Sequence, residues 1–258
     1  VFLFFMQTNL IYAMEENAQI KTLFEAADVN ATFILYDLQK DTIVGYDQTR
    51  SEKRYIPAST FKIANSLIGL ETKAVKCVDE PLPYLGPKNP FIASWKEDMG
   101  LRKAIAISNV PIYQELARRI GLERMKHYLK SFEYGNTDTG EIIDRFWLDG
   151  PLKITPQQEA EFAYRLATQT LPFDAHVQQE VKQMLYVERR GVAKLYAKSG
   201  WGADVKPQVG WYVGWVEQPN GKILAFALNM HIQNEQQLAM RKQLTLDALD
   251  KLGVFPYL

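Results

Sequence analysis

Two segments near the start of the chain, ATFILYDL at 31–38 and DTIVGYD at 41–47, alternate apolar with polar positions and are rich in β-branched and aromatic residues. A period of two puts one side of a strand on a core, and the short Gln39 and Lys40 link predicts a hairpin. Three more strands are predicted near the other end: VAKLYAKS at 192–199, QVGWYVGWVEQ at 208–218 and KILAFALNM at 222–230, with PNG at 219–221 as the last turn. The closing segment, 234–253, has apolar residues at helical spacing and stops at Gly253. Between these ends the period changes. Segments 59–71, 110–120, 122–131, 156–168 and 176–187 read as helices separated by Gly, Pro or Asn. Strands at both ends with helices between them predict an α+β fold: one antiparallel sheet, about 25–58 and 190–258, with a helical lobe, about 59–189, inserted. The cleft between sheet and lobe is the natural place for a site.

Composition narrows the class of function. The chain has 258 residues, 30 Lys plus Arg and 30 Asp plus Glu, and this balance favours neither nucleic acid nor an anionic membrane as partner. Cys77 is the single cysteine, so no intrachain disulfide forms, and with three histidines a zinc site is not expected. No repeat or flexible linker divides the chain, so 14–258 reads as one unit. Residues 1–13, VFLFFMQTNLIYA, are strongly apolar, too short to span a bilayer, and followed by polar MEENAQIK. They read as the remnant of a secretory signal peptide with cleavage after Ala13, the other reading being a first core strand. Export without a disulfide or membrane anchor predicts a periplasmic protein of a Gram-negative bacterium.

The candidate chemistry starts in PASTFKIANSLIGLET at 57–72. Lys62 lies one helical turn after Ser59 among Phe61, Ile63 and Leu67. A serine there serves as an N-cap in most proteins, but residues three apart share a helix face, so the Lys62 amine can meet the Ser59 hydroxyl. A serine needs a base to become a nucleophile. A solvated lysine is protonated and cannot serve, whereas a desolvated one can. Two further clusters follow. Ser108, Asn109 and Val110 precede a helix starting near Pro111, where Ser108 alone would read as a cap. AKSGWG places Lys198, Ser199, Gly200 and Trp201 at a strand end, where a glycine admits a close approach and Lys198 with Ser199 can receive an anion.

The ordered set S-T-F-K, S-N-V, Y-G-N at 134–136 and K-S-G-W resembles the penicillin-recognising serine enzymes. Within them, IPASTFKIANSLIGLE, VPIYQELARRIGL, FWLDGPLKITPQQE and KPQVGWYVGWVEQPNGKI resemble the class D (oxacillinase-type) β-lactamases, with wording closest to the carbapenem-hydrolysing branch. The resemblance covers about residue 25 to the C-terminus. It implies a five- to seven-stranded sheet and hydrolysis of the β-lactam amide bond through an acylated Ser59, giving antibiotic resistance. It implies that Lys62 is N-carboxylated and acts as general base, with carbon dioxide or bicarbonate needed to form the carbamate and no other cofactor. Trp147, otherwise an ordinary core aromatic, would hold the carbamate through its indole N–H, and Val110 would wall it from water. Ser108 would relay a proton to the leaving nitrogen. Lys198 and Ser199 would bind the substrate carboxylate, Gly200 would permit the approach, and the Ser59 and Trp201 backbone N–H groups would form the oxyanion hole. Arg241, otherwise a solvated helix residue, would pair with the same carboxylate, while Asn109 is variable in relatives and Tyr134 shapes the cleft. The chain departs from the commoner K-T-G by Ser199, which keeps the hydroxyl.

The resemblance leaves a choice among a hydrolase, a sensor domain that is acylated without turnover, and a DD-peptidase. Trp147 and Val110 favour the first over the peptidase. Ala203 is too small to reach across towards Phe91, so a more open groove is expected. The expected partner is a small β-lactam, and the expected assembly a monomer or homodimer.

Overall fold

The computed structural model describes residues 14–37 and 42–256. The predicted signal remnant and the turn of the first hairpin lie outside them. One seven-stranded sheet runs β1 (Met14–Glu16), β3 (Thr42–Tyr46), β2 (Ala31–Asp37), β7 (Ile223–Ile232), β6 (Gln208–Glu217), β5 (Ala193–Gly202), β4 (Tyr186–Arg190). The two chain ends meet at its centre, where β2 and β7 pair antiparallel with Ile34 opposite Ala227. The predicted hairpin forms, with Leu35 opposite Val44, and Gly221, at φ +80°, turns the chain from β6 into β7.

Alternation along the strands separates two cores. Ile34 and Tyr36 of β2 and Ala225 and Ala227 of β7 face the inserted lobe, with Phe61, Leu67, Leu116, Trp147 and Phe162. The two alanines leave room for α7 (Pro156–Ala167), which packs across β7, β2 and β6. Phe33, Leu35, Phe226 and Leu228 face the opposite way, onto α1 (Ala18–Ala26) and α9 (Gln237–Lys251). The lobe also contains α3 (Lys62–Glu71), α4 (Leu101–Ala106), α5 (Val110–Ile120), α6 (Leu122–Ser131) and α8 (Ala175–Met184), while the short α2 (Gln48–Ser51) leads from β3 towards it. No helix among the described residues is long and apolar enough to cross a membrane.

Besides α2 and α4, which form where no helix is expected, four features differ from the pattern-based expectation. The sheet is not wholly antiparallel, because β1 pairs parallel with β3, Glu15 opposite Val44. Among the described residues it reaches back to Met14, beyond the expected start near residue 25. Residues 18–26, where no element is expected, form a helix: Asn17 Oδ1 accepts from the N–H groups of Gln19 and Ile20, and Ile20 and Phe24, four apart, are buried. The helix expected over 176–187 stops at Met184, and Tyr186 starts an edge strand. Gly191, at φ +57°, makes the hairpin between β4 and β5 that turns Tyr186 and Val187 into strand residues.

Candidate active site

Two short pieces of backbone bring the candidate residues together. The first is the 3-10 turn Ala58–Phe61, which runs directly into α3. In a 3-10 turn residues three apart eclipse, and Lys62 Nζ comes to 2.7 Å from Ser59 Oγ. Ser59 therefore does not act as an N-cap: its hydroxyl meets the lysine, and the turn has no side-chain cap. Ser59 keeps 9% of its surface exposed and Lys62 none, so a ligand can touch the hydroxyl while the amine stays dry. Burial lowers the Lys62 pKa well below the usual lysine value, and the Lys198 charge lowers it further. On its other side the amine lies over the Tyr113 ring, 5.4 Å from its centroid. Ala58, just before the serine, is buried in the left-handed region at φ +51°, and its N–H donates to Trp147 O at 3.0 Å.

The second piece is the end of β5. β4 pairs with β5 only as far as Tyr186 opposite Tyr196, so beyond Ala197 the outer edge of β5 is left to the 3-10 turn. A Cβ on Gly200 would stand 3.2 Å from Pro57 O, Thr60 Cγ2 and Trp211 Cβ. Gly200 thus lets the turn that carries Ser59 dock on the strand, a closer constraint than the ligand approach expected of it. Lys198 Nζ donates to Ser108 Oγ at 3.0 Å and to Ser199 O at 2.8 Å. Burial, then the nearby Arg241 charge, bring the Lys198 pKa down to about 7. The Arg241 guanidinium donates to Gly200 O, and its burial lowers it to about 10, so it is not the solvated helix arginine of the simpler reading.

Ser108 is freed for Lys198 because its neighbour caps the helix. Asn109 Oδ1 accepts from Ile112 N at 3.2 Å at the start of α5, and its Nδ2 donates to Trp95 O at 2.9 Å. Ser108 stands in the left-handed region at φ +56°, and Val110 follows half-buried as the first residue of α5. Trp147 is fully buried beside this assembly, its ring 5.2 Å from that of Phe61, and its Nε1 has no hydrogen-bond partner. An indole N–H buried without an acceptor is costly.

Tyr134 does not line the cleft but lies beneath it, 5.7 Å from the Phe61 ring. The Y-G-N box supports the turn that follows α6. Gly135, at φ +58°, leaves no room for a Cβ, which would stand 2.3 Å from Lys153 O, and Asn136 Oδ1 accepts from Lys153 N at 2.9 Å. The Phe91 ring meets Trp201 edge-on at 5.9 Å, so the contact across the rim comes from the tryptophan two residues before Ala203. Thr60 and Glu159, within the motif phrases, were assigned no role from sequence. Yet the Glu159 carboxyl is fully buried, 2.5 Å from Thr60 Oγ1 and 3.2 Å from the Tyr134 hydroxyl. A lone acid on the apolar face of a helix was the available signal.

A buried lysine on a serine, a second lysine and a serine facing it, and a sheet built from both chain ends define a serine enzyme of the penicillin-recognising fold. The family model of the penicillin binding protein transpeptidase domain matches residues 7–250. Among solved structures, the class D β-lactamase FUS-1 (OXA-85) from Fusobacterium nucleatum subsp. polymorphum superposes with TM-score 0.90 at 39% identity, covering 94% of this chain and 100% of that one. Among curated proteins, β-lactamase OXA-10 of Pseudomonas aeruginosa is 36% identical over 96% of this chain and 93% of its own length. β-Lactamase OXA-48 of Klebsiella pneumoniae is 34% identical over 94% and 91%. The chain belongs to the class D β-lactamases, a family of serine β-lactamases.

Proposed function

We propose that the protein hydrolyses the amide bond of penicillins and related β-lactams through an acyl-enzyme on Ser59, with Lys62 as general base in its N-carboxylated form, and so confers antibiotic resistance. The observation that carries this reading is the buried Lys62 Nζ, 2.7 Å from Ser59 Oγ, with burial and a neighbouring positive charge both disfavouring its protonated form. A neutral amine adds carbon dioxide: the N–C bond forms, an N–H proton leaves, and the side chain then carries a basic oxygen. The pocket fits such a group, because Trp147 Nε1 is a buried donor lacking an acceptor.

In acylation Ser59 Oγ attacks the lactam carbonyl carbon, its proton passes to the Lys62 side chain, and the ring C–N bond breaks. Ser108, hydrogen-bonded to Lys198, hands its proton to the leaving nitrogen and takes the former Ser59 proton from the Lys62 side chain, which returns to its basic form. The Ser59 and Trp201 backbone N–H groups hold the oxyanion. Lys198, Ser199 and Arg241 bind the substrate carboxylate at the end of β5, where Gly200 keeps the turn close. Lys62 then takes a proton from the water that attacks the ester carbonyl and returns it to Ser59 Oγ as the acyl C–O bond breaks. Val110 shields the Lys62 side chain at the mouth of α5. The reading includes export to the periplasm and action as monomer or homodimer.

Turnover of penicillin G and oxacillin, with and without bicarbonate at about pH 5 and about pH 7.5, tests it. Activity is expected to decay at acid pH or low bicarbonate and to return on adding bicarbonate. Lys62→Ala is expected to acylate slowly and accumulate as acyl-enzyme in intact-mass spectra. Parent-like turnover by that variant would remove Lys62 as base, and a parent that acylates without turnover would be the sensor instead.

A further inference from the structure

Nothing in the steps above uses Glu159, although it lies directly beneath the nucleophile's turn. Thr60 Oγ1 stands 2.8 Å from Pro57 O and 2.5 Å from Glu159 Oε1. A hydroxyl has one proton to give, and a carbonyl can only accept. If Thr60 gives its proton to Glu159, its lone pairs face those of Pro57 O. If it gives the proton to Pro57 O, the contact to Glu159 needs a proton from the carboxyl itself. The other oxygen, Oε2, is buried without a partner. An unpartnered oxygen is far less costly on a neutral acid than on a carboxylate. Both facts select the same state.

We infer that Glu159 is a positioning residue that works as a neutral acid, donating to Thr60 Oγ1 while Thr60 donates to Pro57 O, and so holds the turn that presents Ser59. The inference rests on Ser59 being the nucleophile. Pro57 O is also the atom against which Gly200 of β5 packs, and Ala58, next in the chain, is held at φ +51°. The relay therefore fixes one end of a strained turn, and the Ala58 N–H bond to Trp147 O fixes the other. On ionisation the Thr60 hydroxyl proton would turn to the carboxylate, leaving Pro57 O with only the Thr60 backbone N–H, 3.2 Å away.

The surroundings favour the neutral form. Burial raises the Glu159 pKa to about 7, against the smaller opposing effect of its hydrogen bonds with Thr60 and Tyr134. Tyr134 is the titratable group that meets it, and burial together with Glu159 pushes that phenol well above its usual range. The cations on neighbouring elements are engaged elsewhere: Lys62 of α3 on Ser59, Arg50 of α2 on Asn30 and Asn229, Lys182 of α8 on Ala167 O and Glu217, and Arg165 of α7 on Phe132 O. From the sheet beneath α7, β2 brings Tyr36, whose ring meets Tyr164, and Asp37, paired with Lys222.

The test uses the full chain and two variants, Glu159→Gln and Glu159→Leu, with thermal melting to confirm folding. Infrared difference spectra at about pH 6 should contain the C=O stretch of a protonated carboxylic acid that is missing from Glu159→Gln; a spectrum showing only carboxylate there overturns the inference. Acylation is then followed by stopped flow with a chromogenic β-lactam. Glu159→Gln, whose amide can donate to Thr60 but cannot ionise, is expected to stay within about threefold of the parent near pH 6. Its rate relative to the parent should rise about fivefold or more by pH 9, as the parent's acid ionises. Glu159→Leu should lose about tenfold near pH 6 and, having no group to ionise, only about twofold relative to the parent by pH 9. A folded leucine variant that acylates like the parent, or a pH-independent ratio for the glutamine variant, would overturn the inference. A parent that never acylates would overturn the hydrolytic reading too, whereas a parent that acylates with Glu159 ionised would overturn this inference alone.

Discussion

Lys198 sits where burial and Arg241 oppose its charge, which brings its pKa to about 7. A substrate carboxylate reverses that balance, because an anion at the site favours the charged lysine. The free enzyme should therefore lose affinity as pH rises through 7, since the proton is absent before the ligand arrives. KM for penicillin G, read in Glu159→Gln so that ionisation of that acid does not contribute, is expected to rise about tenfold between pH 6.5 and 8.5 and no further, because Arg241, near 10, stays charged. A flat KM over that interval would show that the carboxylate does not depend on the Lys198 charge. The residues of this site were legible where chemistry constrains sequence spacing. Ser59 and Lys62 are three apart, and the structure places them in contact. Glu159 was not legible as a participant, because its partners Thr60 and Tyr134 lie 99 and 25 residues away in the chain.

At the scale of elements, position depends on which residue caps which helix. Ser108 can reach Lys198 because Asn109 takes over the N-cap of α5 and ties that loop to Trp95. Asn109→Ala should cost about 1 kcal/mol of stability, as loss of an N-cap does. It should also lower β-lactam turnover through the displaced Ser108. Denaturant unfolding and kcat/KM of the variant check the two effects together, and a stability loss without any catalytic loss would separate Asn109 from the site. Periodicity anticipated α5, α6 and α7 to within a residue, since each has an apolar face bounded by Asn, Gly or Thr-Pro signals. It missed α1, whose apolar face is only Ile20 and Phe24. It also ran α8 into β4, because Tyr186 and Val187 continue a helical spacing until the turn at Gly191 is taken into account.

Across the whole molecule, one sheet separates two cores, and the site uses only one of them. Phe61, on the lobe side, packs against Trp147, Phe146 and Tyr134 at 5.2, 5.1 and 5.7 Å, with Ser59 and Lys62 on either side of it in the chain. Phe24, on the opposite side, stacks on Tyr46 at 5.6 Å and on Phe33 at 6.4 Å, where α1 covers the sheet. Both rings are fully buried, so Phe24→Ala and Phe61→Ala remove equal groups and should each cost about 3–5 kcal/mol. That is a fall in Tm of roughly 10 °C for a chain of this length. Their catalytic effects should differ, because the interior transmits strain to what it touches and the sheet lies between Phe24 and Lys62. Phe24→Ala is expected to keep its kcat and its reactivation by bicarbonate at temperatures below its transition. Phe61→Ala should open the Lys62 pocket to water, raise the amine's pKa and lose most of the bicarbonate response. Melting curves paired with bicarbonate titrations of both variants distinguish the outcomes. Equal loss of the bicarbonate response in the two would mean that the outer core also supports the chemistry, and that the sheet does not insulate one side from the other.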